Sequence, residues 1–256
     1  MAESGLFSIL DSVDSTNNYA MAIVHEGLAR HGMAWFAHEQ TAGKGQRGKK
    51  WQTGKGQNIA LSIVLEQAAL KIQEQFKISV AVSLACFDFF KGLCSEEIFI
   101  KWPNDIYLRD RKAAGILIEN VLQGNNWKYA VAGIGININQ SVFNSQANNP
   151  TSLKNITGKN YNTVELARDL YEKVLLRAND LEIKSFADLL KEYNSNLYKL
   201  NTAVKLKKET VFFETTIKGV NEQGKLLTTD IIDNAFDFGE VEWLTSPLTA
   251  IQKRGE

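Results

Sequence analysis

Proline, cysteine and histidine are all scarce in this chain, at three, two and three of its 256 residues. With so few prolines, no low-complexity tract and no repeat, there is little room for long linkers. Cys86 and Cys94 match neither a metal knuckle nor a disulfide framework, so a reduced, cytoplasmic protein is expected. His25, His31 and His38 are scattered, and no Ser–His–Asp or Cys–His grouping stands out. Net charge is also missing, with 29 Lys+Arg against 29 Asp+Glu. That balance argues against a nucleic-acid partner, which calls for a basic excess. No apolar run approaches the roughly 18–20 residues of a membrane span, so no membrane partner is expected. The opening MAESGLFSIL has neither a basic n-region nor an apolar h-region, and no signal peptide is expected. What is present is a globular composition, with 44% hydrophobic and 10% aromatic residues, which excludes a disordered acidic chain.

Patterning predicts a strand over Phe7–Val13, then Asp14 or Ser15 as the N-cap of a helix running to about Ala29. Strands are expected at Met33–His38 and Asn58–Leu65. The spacing of Ile72, Phe76, Val80, Leu84 and Phe87 predicts an amphipathic helix. Further strand-like runs are Ile98–Lys101, Ile106–Leu108, Ala114–Val121 and Lys128–Asn137, and Asn144–Thr157 reads as polar and irregular. Helices follow around Val164–Asn179 and Ser185–Leu200. From Thr202 to Leu244 the pattern changes to short alternating strands with turn residues at Asn221–Gly224, which predicts a small barrel beyond a boundary near Asn201.

The stretch HEQTAGKGQRGKKWQTGKGQN holds five glycines and, from Thr41 to Leu65, no acid. Lys44, Arg47, Lys49, Lys50 and Lys55 give it a local charge of +5, four Lys plus one Arg. Glycines let the backbone approach an anion closely, and the basic side chains supply the field. Gly43, Gly45 and Gly48 fit a dinucleotide fingerprint, and Gly43, Gly48 and Lys49 fit most of a phosphate loop. Both motifs need a helix directly afterwards. Here Trp51, more glycines and an apolar strand follow instead, so neither match carries weight. The bland alternative is a solvated surface loop. Trp51 beside an acid-free loop points instead to a planar anionic ligand such as a nucleotide.

IFIKWPNDIYLRDRKAAGILIEN sets Lys101, Asn104 and Asp105 between two buried-looking strands, where charges need partners. Either Lys101 and Asp105 form a structural pair beside the Trp102–Pro103 turn, or one of them faces a ligand. Lys112 opens a strand whose small residues Ala113, Ala114 and Gly115 leave room beside the backbone. A strand-end charge in water is the plainer reading. In GIGININ, Gly133–Asn139, alternation puts Asn137 and Asn139 on one side, as a polar edge or as amides aimed at a heterocycle.

Ser15-Thr16-Asn17, Gln40 with GKGQRGKKW, KWPND with Lys112 and Gly115, and GIGIN follow one another as they do in biotin–protein ligases. The chain resembles that family from Phe7 to Leu244. The resemblance implies an α+β fold: a mixed sheet with helices on one face, like that of class II aminoacyl-tRNA synthetases, in residues 1–200, and an SH3-like β-barrel in 201–256. Only Met1–Ser4 and a short strand precede the first motif, so the resemblance is to the short form without an N-terminal DNA-binding domain. It implies that Ser15, Thr16, Asn17, Gln40, Lys44, Gly45, Gln46, Lys112 and Gly115 bind biotin. Lys44, Arg47, Lys49, Trp51, Asn104 and Asn137 would hold ATP and the adenylate, with Lys112 and Lys101 as the catalytic pair. ATP and Mg²⁺ are implied, with biotin as substrate and no metal ligand assigned. A biotin carboxyl carrier protein or domain is the implied partner, and a homodimer is compatible with the family. Members often carry arginine where this chain has Lys44 and Gln46. Lysine keeps the charge without the bidentate fork, and Gln46 keeps hydrogen bonding without charge.

The implied chemistry needs no general base in its first step, because a carboxylate ionised at neutral pH attacks the α-phosphorus of ATP. Joining two anions is an electrostatic and positional problem that fixed cations address. In the second step a lysine amine must become neutral before it attacks the mixed anhydride, and Asp105 is a conceivable base. The glycine-rich loop is expected to act as a lid. A lipoate or octanoate ligase or transferase of the same fold is the nearer alternative, and a non-catalytic ligand-sensing regulator the more distant one.

Overall fold

In a computed structural model the described residues are 6–67, 70–124, 126–144 and 149–244. Met1–Ser4 and part of the 144–157 stretch lie outside them. Seven strands form one mixed sheet: β1 Phe7–Leu10, β2 Ala34–Ala37, β3 Ile59–Glu66, β4 Ile98–Lys101, β5 Asp105–Leu108, β6 Arg111–Gln123 and β7 Asn126–Ile136. Their order is β1-β2-β3-β7-β6-β5-β4. The β1–β2 pair is parallel and the other neighbouring pairs are antiparallel. A parallel pair needs a crossover, and helix α1, Thr16–His25, makes it. β3 is buried along seven of its eight residues, which is why IALSIVL reads as a continuous apolar run.

The α1 side chains Ala20 and Val24 pack with Trp35, Val64, Tyr129 and Val131. Helices α2, Phe76–Lys91, α4, Thr163–Ile183, and α5, Phe186–Ser195, are joined through buried Arg177 on α4. Its guanidinium donates to Asp88 on α2 at 2.7 Å and to Glu192 on α5 at 2.6 Å. Asp180 completes the set at 3.4 Å. A buried charge with three carboxylate partners is compensated, whereas an unpaired one would not be.

Several boundaries differ from the sequence expectation for local reasons. β1 stops at Leu10, and Val13 rejoins only as an isolated bridge to Gln40. α1 ends at His25 rather than near Ala29, because Gly27 takes a left-handed conformation at φ 73°. The run from Ile72 divides into a short 3-10 turn, Ile72–Glu74, and α2. Within the stretch read as irregular, α3, Leu153–Thr157, forms under a Ser152 cap.

Between Tyr198 and Lys199 the chain divides into two compact units. The second contains β8 Ala203–Lys208, β9 Val211–Val220, β10 Leu226–Thr229, β11 Asp233–Phe236 and β12 Glu242–Trp243. They form a five-stranded antiparallel sheet in the order β11-β10-β9-β8-β12, around buried Leu206, Ile217, Val220 and Leu226. The β9–β10 turn closes where Asn221 Oδ1 accepts from the Gln223 and Lys225 amides. Among the described residues no helix is long and apolar enough to cross a membrane.

Candidate functional site

Register fixes what shares a face of the large sheet, because paired residues point the same way. Lys101 pairs with Asp105, Asp105 with Gly115, Gly115 with Gly135, and Gly135 with Ala60, giving one row across five strands. Two residues along, Leu117, Gly133 and Ser62 form the next row on the same face. Three of the side chains in these rows are absent because the residues are glycine, so the rows form a shallow shelf.

The first turn of α1 meets one end of that shelf. Ser15 is the helix N-cap, its Oγ accepting from the Asn18 amide at 3.5 Å. Thr16 donates through its amide to Gln40 Oε1 at 2.8 Å, and through Oγ1 at 3.1 Å. Ser62, fully buried on β3, lies 2.8 Å from Thr16 Oγ1 and donates to Asn17 Oδ1 at 2.6 Å. Asn17 Nδ2 in turn donates to Glu119 Oε2 at 2.8 Å. Glu119 Oε1 pairs with Lys44 Nζ at 3.6 Å, so the polar chain starts and ends in the glycine-lysine loop. Only glycine at 133 lets the Asn17 amide lie there. A Cβ on Gly133 would meet its Cγ at 2.7 Å and its Nδ2 at 2.9 Å.

The loop is a strand–loop–strand, as its sequence suggested. Lys44 and Lys50 form an antiparallel bridge, the Gly45 amide donates to Lys49 O at 2.7 Å, and the Trp51 amide donates to Gly43 O at 2.9 Å. Arg47 occupies the tip at φ 55° within a short turn, Gln46–Gly48. The Trp51 indole covers two glycines of the shelf: a Cβ on Gly135 would fall 2.6 Å from its Nε1, and one on Gly115 3.3 Å from its ring. Trp51 Nε1 and Gln46 Oε1 are buried with no hydrogen-bond partner among the described residues. A groove of about 410 Å³ runs beside the loop, lined by Gln40, Gly43, Lys50, Trp51, Gln52 and Thr53.

The other end of the shelf carries the charges. Lys112 Nζ pairs with Asp105 Oδ1 at 2.6 Å and stands 6.0 Å from the Trp51 ring. Its backbone is held from the side, with Lys112 N donating to Asn149 O and Thr151 N donating to Lys112 O. Lys101 is 5% exposed and donates to Tyr107 Oη at 2.9 Å. Burial pushes its pKa down from 10.5 to about 8; Asp105 opposes that, and Lys112 and Lys49 add to it. Asn104 Nδ2 donates to Ile116 O at 2.7 Å, and Asn137 Nδ2 to Thr151 O at 3.0 Å. These two amides brace the backbone around Gly115 and Lys112. Asn139 exchanges two hydrogen bonds with the Tyr161 backbone, a structural engagement rather than one aimed at the shelf.

Thr16, Asn17, Gln40, Lys44, Trp51, Lys101, Lys112 and Gly115 therefore border one surface, and Gly45, Gln46 and Lys49 belong to the loop beside it. Ser15 acts on it through its cap, and Arg47 sits at the loop tip. Ser62 and Glu119 were not singled out from sequence. Ser62 is hidden inside an apolar strand, and the polar break it makes in IALSIVL was its one signal. Among the described residues no three His, Cys, Asp or Glu side chains converge as a metal cage.

Comparison with known proteins bears on the same residues. The profile described as the Biotin/lipoate A/B protein ligase family matches residues 9–137. The Escherichia coli Bifunctional ligase/repressor BirA is 30% identical over 228 residues, covering 88% of this chain and 70% of that one. The Paracoccus denitrificans Biotin--[acetyl-CoA-carboxylase] ligase is 29% identical over 227 residues, covering 86% and 92%. Among solved structures, the Aquifex aeolicus biotin protein ligase in complex with biotin and ATP superposes with a TM-score of 0.79 at 25% identity, covering 94% of this chain and all of that one.

Proposed function

The chain belongs to the Biotin/lipoate A/B protein ligase family and is a biotin ligase, and we propose that it activates biotin with ATP and transfers it to a lysine of a biotin carboxyl carrier domain. The observation that carries this reading is the shelf of Gly115 and Gly135, with Lys112, Asp105 and Lys101 at one end and the Thr16–Asn17–Gln40 cluster at the other. A bicyclic ligand with a carboxylate tail fits a surface that is polar at one end, cationic at the other and, once the Trp51 indole moves aside, bare glycine backbone in the middle.

In this reading Thr16, Asn17 and Gln40 meet the ureido group, with Ser15 setting the helix start and Ser62 orienting both neighbours. Lys112 contacts the biotin carboxylate and, once activated, its carbonyl. Lys101 and the loop cations Lys44, Arg47 and Lys49 offset the charge of the triphosphate as carboxylate and α-phosphorus approach. The oxygen–phosphorus bond forms as pyrophosphate leaves, giving biotinyl-5′-AMP. Trp51 flanks the adenylate, and Asn104 and Asn137 keep the supporting backbone in place. Lys44, Gly45 and Gln46 close over biotin. In the second step the acceptor lysine enters as a neutral amine, attacks the activated carbonyl and expels AMP. Asp105 stands 2.6 Å from Lys112 and so is a carboxylate already facing a cation at the reaction centre. Residues 1–200 form the catalytic domain and 201–256 the appended SH3-like domain, in a cytoplasmic protein.

The test is mass spectrometry of a carrier domain after incubation with this protein, ATP, Mg²⁺ and biotin, with a parallel lipoate arm. A biotinyl mass increment on one lysine supports the reading. Modification by lipoate alone replaces it with lipoylation, and no modification of any kind removes transfer from the function.

A further inference from the structure

The environment of Lys101 is aromatic as well as charged. Its Nζ is 2.9 Å from Tyr107 Oη, 4.7 Å from the Tyr107 ring centroid and 6.0 Å from that of Tyr198. The two rings lie 5.0 Å apart, and the Tyr198 hydroxyl donates to Asp110 Oδ1 at 2.7 Å. Tyr198 reaches this position because the segment after α5 adds to the outer edge of β4. Ile100 N donates to Asn196 O, and Tyr198 N donates to Ile100 O, both at 2.9 Å. Burial raises the pKa of both phenols, so each hydroxyl is neutral across the working range. The charged groups acting on Lys101 are Asp105 from β5, Lys112 from β6 and Lys49 from the loop.

A cation that must stay protonated while buried beside two other lysines needs lone pairs aimed at it. The Tyr107 oxygen supplies one without bringing a negative charge into a site that has to hold phosphates. We propose that Tyr107 is a positioning residue for this reaction, its hydroxyl, walled in by Tyr198, holding the Lys101 ammonium on the substrate face of the sheet. The proposal rests on the assignment of Lys101 to adenylation.

Tyr107→Phe removes the oxygen and keeps the ring. Loss of one hydrogen bond to a charged group corresponds to about one pH unit. The alkaline limb of kcat/KM for biotin-dependent pyrophosphate exchange is therefore expected to move down by about one unit, with a roughly fivefold to tenfold loss at pH 8.5 and a much smaller loss at pH 6.5. The NMR titration of the Lys101 side chain, assigned with Lys101→Met, is expected to move by the same amount. Tyr193→Phe serves as the control, because it removes another fully buried hydroxyl, on a ring that packs against Phe76. It is expected to leave both curves in place.

An unmoved Lys101 titration in folded Tyr107→Phe overturns the proposal. So does a moved titration with an unmoved rate profile, since the contact would then be structural only. Absence of biotin-dependent exchange in the unmodified protein would instead sink the functional reading, and the Lys101 titration would still report on the contact.

Discussion

Gly133→Ala tests whether the polar cluster at the start of α1 is held by the absence of one methyl group. Gly133 is not in the left-handed region, so alanine is permitted by its backbone. The obstacle is Asn17, whose Cγ and Nδ2 would lie 2.7 and 2.9 Å from the new Cβ. Either the strand and helix separate, an overpacking cost of about 1–3 kcal/mol, or the amide swings away. Swinging breaks the 2.6 Å bond from Ser62, worth about 1 kcal/mol, and the 2.8 Å bond to Glu119, worth about 1.5–3 kcal/mol. The cheaper route decides, so the expected loss is about 1–3 kcal/mol. For a unit of this size that corresponds to a fall in Tm of roughly 2–12 °C. Calorimetric titration should also show biotin binding at least ten times more weakly. The double variant Gly133→Ala/Asn17→Ala should be little worse than Asn17→Ala alone, because the methyl then occupies vacated space; a double-mutant cycle reads that coupling directly. Unchanged melting together with unchanged biotin affinity in Gly133→Ala would refute the steric argument.

Lys112→Ala should reduce pyrophosphate exchange by orders of magnitude with little change in melting, and near-normal exchange in the folded variant would remove Lys112 from the chemistry. Lys101→Met should raise stability at pH 7 by about 1–3 kcal/mol while abolishing adenylation, because folding lowers the lysine pKa from 10.5 to about 8 and so penalises the charged form. The unfolded chain binds more protons between those two values, so the wild type gains stability as pH rises from 8 to 10.5 and the advantage of methionine fades; denaturation at pH 7 and pH 10 measures both, and a variant less stable at pH 7 contradicts the sign. Amide exchange across Lys44–Lys50 should slow when biotin and ATP are added, and exchange unchanged at saturation would end the lid interpretation.

The parts of the fold that were legible are those where one local signal dominates. Ile98–Lys101 was bounded correctly, since four apolar-rich residues end at the Trp102–Pro103 turn. The strand–loop–strand around Trp51 was read correctly because an apolar strand, not a helix, follows its glycines. Lys101 and Lys112 could be named from sequence, with Asp105 as one option for a partner of Lys101, but the ion pair of Asp105 with Lys112 could not. Lys112 pairs with Asp105 across a register shift between Ile106 and Tyr107, and such a shift leaves no mark in the alternation of either strand. The two asparagines of GIGININ looked equivalent by period two. The strand ends at Ile136, so Asn137 turns to Thr151 and Asn139 to Tyr161. Ser62 and Glu119 join residues over 40 and 100 positions away, contacts that only the folded sheet creates.

The indole resting on Gly115 and Gly135 has a kinetic consequence. Trp51 and any ligand that uses the same glycine surface exclude each other, so a ligand meets only those molecules whose indole has moved off. The apparent dissociation constant is then the intrinsic one divided by that open fraction: an indole at rest in roughly 99% of molecules weakens apparent affinity about a hundredfold. Under that scheme the observed association rate stops rising with ligand concentration once it reaches the rate at which the ring departs. Stopped-flow traces that level off would give that departure rate directly, and a smaller side chain at position 51 would raise the plateau.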